Sequence, residues 1–94
     1  MPWIRKADHE RFFADPVKSP IEWRGKDKGW REKGSDKKLM QCATGRSIWE
    51  RPFAGGSGEV RSVQHFYIEG EPNPTEGMTY GSPIYEDEIM EVNQ

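Results

Sequence analysis

Three side chains of this 94-residue chain carry the usual equipment of nucleophilic or acid–base catalysis: Cys42, His9 and His65. A thiol becomes a strong nucleophile when an imidazole takes its proton, so Cys42 with His65 is the one enzyme reading that the residue types allow. Nothing in the spacing brings them together, and a small thiol on a β-prone segment more often packs, here beside Trp49, than attacks a substrate. Metal binding needs three or four convergent ligands. One Cys and two His lying 56 positions apart, with no Cys-x-x-Cys or His-x-x-x-His, do not supply them. Ser57, within Gly55-Gly56-Ser57-Gly58-Glu59, lacks the second glycine of a nucleophile elbow, and no Gly-Lys-Ser or Gly-Lys-Thr follows to make a phosphate loop. The chain therefore reads as non-enzymatic, with no cofactor and no metal.

Two stretches carry binding chemistry instead. Between Trp23 and Lys38 lie Arg24, Lys26, Lys28, Arg31, Lys33, Lys37 and Lys38, set against Asp27, Glu32 and Asp36 and interleaved with Trp23 and Trp30. Single-stranded nucleic-acid binders use this mixture, in which cations follow phosphates and rings stack on bases. A whole-chain pI of about 5.7 argues against a dedicated nucleic-acid domain. The basic and aromatic surface expected is Trp23, Arg24, Lys26, Lys28, Trp30, Arg31, Lys37 and Lys38. The second stretch is acidic: Tyr85, Glu86, Asp87, Glu88, Ile89 and Glu91 combine apolar anchors with charge that can steer towards a basic partner.

Charge is divided along the chain. Residues 1–51 hold 13 Lys or Arg and 8 Asp or Glu, a balance of +5; residues 52–94 hold 1 and 8, a balance of −7. From Glu69 onward there are seven acids and no base. Either the two halves neutralise each other on folding, or they present separate poles to partners.

The elements that must position these groups follow from local pattern. Ala7–Ala14 fits one short helix, with Asp8 as N-cap and Pro16 preventing continuation. Trp23 and Trp30 bracket Arg24-Gly25-Lys26-Asp27-Lys28-Gly29, which reads as a hairpin tip with one indole on each arm. Gly45-Arg46 looks like the two-residue turn of a second hairpin, with Cys42 facing Trp49 and Ala43 facing Ile48. Ala54–Gly58 is expected to be a flexible connection. Val60–Glu69 is the most β-prone segment and reads as the central strand. Residues 24–38 and 70–83 are expected to be mobile loops, and residues 84–94 an acidic segment whose apolar positions match neither period.

Only 33% of residues are hydrophobic, aromatics reach 12%, and Leu39 is the single leucine, which excludes a helix bundle or coiled coil. The fold class expected is α+β or mainly β: a small antiparallel sheet with one short N-terminal helix, in one domain spanning residues 1–94. A lone cysteine suggests a cytoplasmic or other intracellular setting, and no apolar run is long enough for a membrane span. Together these readings describe a small protein-binding module, an accessory, inhibitor or assembly factor with a protein partner and no membrane. Single-stranded nucleic acid is the alternative ligand, and an enzyme built on Cys42 and His65 the second alternative.

Overall fold

The structure, a computed structural model, describes residues 2–51 and 56–92. In chain order the elements are β1 (Trp3–Arg5), α1 (Lys6–Asp8) running on into a π-helical turn (His9–Phe13), β2 (Ile21–Trp23), β3 (Trp30–Glu32), β4 (Leu39–Trp49), β5 (Gly56–Ile68), β6 (Ser82–Tyr85), a 3-10 turn (Glu86–Glu88) and β7 (Ile89–Glu91). β2 and β3 form their own antiparallel pair; the others make a five-stranded sheet in the order β6-β4-β5-β1-β7. The fold is β-rich, as composition and patterning lead one to expect, and β5 is the central strand. Pairing is mixed rather than purely antiparallel, because β1 runs parallel to β5 and β6 parallel to β4.

The outermost strands of the sheet, β6 and β7, are consecutive in the chain and separated only by the three residues Glu86–Glu88. Its two edges must therefore come close, which curls the sheet on itself. Side chains alternate across β5, so Val63 and His65 face the inside of the curl while Phe66 and Ile68 face out. Inside, Val63 meets Ile48, Ile84 and Ile89, with Trp3 packed against them. Outside, Phe66 and Ile68 join Phe12, Ile21, Phe13 and Leu39, so the helical segment and the β2–β3 pair cover that face. Each aliphatic side chain fully buried this way contributes roughly 1.5–3 kcal/mol of transfer free energy. Two small cores on opposite faces of one strand thus replace the single leucine-rich interior that this composition cannot build.

Several local expectations are corrected. Gly45-Arg46 is no turn: β4 passes straight through it, pairing Gly45 with Ser62 and Arg46 with Arg61. Gly45 does not have a positive φ; what it provides is space, since a Cβ there would lie 2.5 Å from Tyr80 Cε2. The glycine thus marks a close approach of ring to backbone rather than a reversal of direction. In consequence Cys42 faces His65 and Ala43 faces Gln64, not Trp49 and Ile48. Gly56, Ser57 and Gly58 belong to β5 rather than to a connection, while Ala54 and Gly55 lie outside the described residues. Asp8 does not cap the helix. Its buried carboxylate instead accepts two hydrogen bonds from Arg5, at 2.7 and 2.8 Å, and one from the Phe66 amide at 3.1 Å, tying α1 to the sheet.

Candidate functional site

The β2–β3 hairpin forms as its glycines predict. Gly25 and Gly29 take φ of +90° and +67°, a region that side chains with a Cβ avoid, and their backbone groups close the loop through Arg24 N–H to Gly29 O and Gly29 N–H to Gly25 O. Trp23 and Trp30 are register partners on the two arms. Their rings meet edge to face with centroids 5.5 Å apart, and they remain 57% and 42% exposed. Such exposure is unusual for indoles in a domain with so little apolar material to bury.

From this pair a row of rings continues towards the sheet. Phe13 stands edge-on to Trp30 at 6.4 Å and edge-on to Phe66 at 5.1 Å. A groove of about 520 Å³ runs along the row, lined besides the rings by Leu39 and Gln41, by Lys28, Arg31 and Lys38, and by one carboxylate, Asp27. A second hollow of about 430 Å³ shares Phe13, Phe66 and Gln41 and extends past Gln64 to His9 and Pro2. Position along the chain does not reveal this arrangement. Phe13 comes from the π-helical turn, Trp23 and Trp30 from the hairpin, and Leu39, Gln41 and Phe66 from the outer face of β4 and β5. Sequence reasoning found the two indoles and missed Phe13, Leu39, Gln41 and Phe66; the available signal was the period-2 alternation of β5, which sets Phe66 opposite to Val63.

The cations around the groove divide into engaged and open groups. Arg24 is tied into its own hairpin, through Nε to Glu22 at 2.9 Å, Nη1 to Asp36 at 3.1 Å and Nη2 to the Glu32 carbonyl at 2.7 Å. Arg31 donates to the carbonyls of Lys28 and Asp36, both at 2.8 Å. Lys33 holds the carbonyls of Pro16 and Val17. Lys26, Lys28, Lys37 and Lys38 are exposed and make no ion pair among the described residues. The basic surface expected from the sequence is thus an arginine framework carrying free lysines. The stretch expected as a solvated loop contains β3 and a bridge between Arg31 and Lys38.

The acidic segment is built into the fold. Ile84 and Ile89 are buried in the inner core, so Ile89 is not the outward anchor the sequence suggests. Arg51, from the basic half, lies over the Tyr85 ring at 3.7 Å and pairs with Asp87 at 2.8 Å and Glu88 at 3.8 Å. The Glu88 carboxylate also accepts the Tyr85 amide at 3.2 Å, closing the 3-10 turn. Glu86 and Glu91 are exposed. A further clasp between the halves joins Arg11 to Glu71 at 2.6 Å, and this hydrogen-bonded partnership holds the Glu71 carboxyl below its usual range. Among the described residues, ion pairs between the halves thus engage three of the eight acids of residues 52–94, Glu71, Asp87 and Glu88, and leave the lysines and indoles of the hairpin open.

The pair weighed for catalysis, Cys42 and His65, are cross-strand partners on β4 and β5. Cys42 Sγ lies 3.3 Å from Asn73 Oδ1 and 4.0 Å from the His65 carbonyl, and the thiol is half-buried rather than part of the core. The His65 ring, fully buried, directs Nε2 at Arg46 Nη1, 3.4 Å away. Burial, then the charges of Arg5 and Arg46, pushes the imidazole down to about 4, with Asp8 acting in the opposite sense. Arg46 in turn spans β4 and β6, donating to the carbonyls of Ser82 at 3.0 Å and Pro83 at 2.9 Å. Among the described residues no group of three His, Cys, Asp or Glu converges as a metal site would require. No helix among them is long and apolar enough to cross a membrane.

No protein family, curated protein or solved structure matches this chain.

Proposed function

We propose that this chain is a non-enzymatic binding module whose working surface is the groove beneath the Trp23–Trp30 hairpin, where an anionic partner is captured by charge and held by rings. The observation that carries this reading is the pair of indoles, 57% and 42% exposed, lining a groove of about 520 Å³ that free lysines also line. Solvating two tryptophans costs apolar burial that a domain this small has little of, so their exposure is best accounted for by a ligand that covers them. The acidic segment contributes to the fold, through Ile84, Ile89 and the Arg51 clasp, and has no part in capture.

A photo-cross-linking residue substituted at Lys28, compared with the same residue at Glu86, tests the reading in cells that express the protein. Adducts from the Lys28 position and none from Glu86 are expected. Adducts from Glu86 alone, or from neither site, would overturn it.

A further inference from the structure

Resting on that reading, we infer that the occupant of the groove is single-stranded nucleic acid, laid from the hairpin tip along the outer face of β4 and β5. Three features point there. First, the open ring faces are canted: Trp23 and Trp30, 57% and 42% exposed, meet at 64°, and Phe13 stands at 84° to Trp30 and 81° to Phe66. Successive bases of a duplex rise by only about 3.4 Å and stay parallel, so they cannot address such a row, whereas an unstacked strand can place one base at a time against an indole.

Second, the charge chemistry favours phosphates over carboxylates. An acidic peptide is best recognised by planar, bidentate guanidinium groups, and both arginines of the hairpin are already held by Glu22, Asp36 and backbone carbonyls. Of the four free lysines, Lys28 and Lys38 line the groove and Lys26 stands in the same hairpin loop as Lys28, mobile point charges that follow a phosphate backbone without demanding fixed geometry.

Third, the groove ends at an amide pair. Gln41 Nε2 donates to Gln64 Oε1 at 2.7 Å across β4 and β5, which leaves the Gln41 carbonyl oxygen and the Gln64 amide hydrogens open to the hydrogen-bonding edge of a base. Rings, free lysines and an amide pair, set along two hollows that share Phe13, Gln41 and Phe66, meet the needs of base faces, phosphates and base edges respectively.

Tryptophan emission is the readout. An oligothymidylate of about ten nucleotides should quench it saturably at low salt, while the same strand annealed to its complement and a decaglutamate peptide should not. With three lysines at phosphates, the logarithm of affinity should fall with the logarithm of salt at a slope of about −2, and Lys38→Gln should reduce that slope by about 0.7. Trp23→Ala should remove most of the quenching while the far-ultraviolet circular dichroism is unchanged; Lys28→Gln with Lys38→Gln weakens binding without touching the core. Saturable binding of the peptide but not the oligonucleotide would overturn this inference and leave the groove reading standing. Equal binding of duplex and single strand would also overturn it. Binding of none of the three would remove both.

Discussion

The Arg46 guanidinium and the His65 imidazole face one another inside the curled sheet, Nη1 3.4 Å from Nε2, with Arg46 7% and His65 0% exposed. Arginine can only donate, so Nε2 accepts and the proton of the neutral ring sits on Nδ1, which has no partner among the described residues. A second positive charge here would stand beside Arg46 and Arg5 in an apolar interior.

Stability should therefore fall with acid through this one ring. Its folded pKa of about 4 lies below the ordinary value of 6.5, so the unfolded chain binds the proton first. The contribution is complete above pH 6.5 and is lost as pH drops towards 4, amounting to roughly 3 kcal/mol at most. Urea midpoints at pH 7 and pH 5 should differ in the native protein and converge in His65→Gln, which keeps an acceptor but does not titrate. An unchanged difference in the variant would show that another group is responsible.

Arg46 should matter more for attachment of β6 than for charge. Arg46→Met leaves the carbonyls of Ser82 and Pro83 and the His65 ring without their donor, a loss of about 2–4 kcal/mol. Arg46→Lys should recover only a fraction, because a single ammonium cannot span both carbonyls. Chemical denaturation of the two variants checks the order; a lysine variant as stable as the parent would refute the bidentate role.

Glycines of two kinds are separable by the same substitution. Gly45→Ala meets only the Tyr80 ring, itself 81% exposed and free to swing aside, and Val60 Cγ1 at 3.1 Å. Its stability should stay within about 1 kcal/mol of the parent. Gly25→Ala, at φ +90° with open space around it, should cost about 1–2 kcal/mol through backbone strain alone. Thermal melts of both distinguish a close-approach glycine from a turn glycine.

Ser19 holds the junction between the helical segment and β2. Its buried hydroxyl donates to the Phe12 carbonyl at 2.8 Å and accepts the Ile21 amide at 3.2 Å. Ser19→Ala strands both groups and should cost about 1–3 kcal/mol, read as an earlier urea midpoint. Because Phe12 and Ile21 pack against Ile68, the outer core should loosen while the inner one, around Val63, keeps slow amide exchange.

Legibility from sequence followed the range of the interaction. The Trp23–Trp30 hairpin was readable because its glycines and flanking rings act within ten residues, and β5 because branched and aromatic residues dominate it. Gly45-Arg46 was misread because a glycine that makes room for Tyr80, 35 positions away, looks locally like one that makes a turn. The same limit applies to the groove: indoles and lysines lie together in the chain, but Phe13 and Phe66 join them only through tertiary packing. Ile89 seemed an outward anchor because a 3-10 turn, which changes the phase of the apolar pattern, separates it from Ile84.

The side-by-side placement of β1 and β7 also bears on how the protein comes into being. β1 sits between β5 and β7, and the Val92 amide donates to the Pro2 carbonyl at 3.0 Å. Both edges of β1 are thus filled by strands about 60 and 86 positions further along, one by β5 and the other only by β7, so the loop-closure entropy of these distant pairings must be met before either is rewarded, which slows folding.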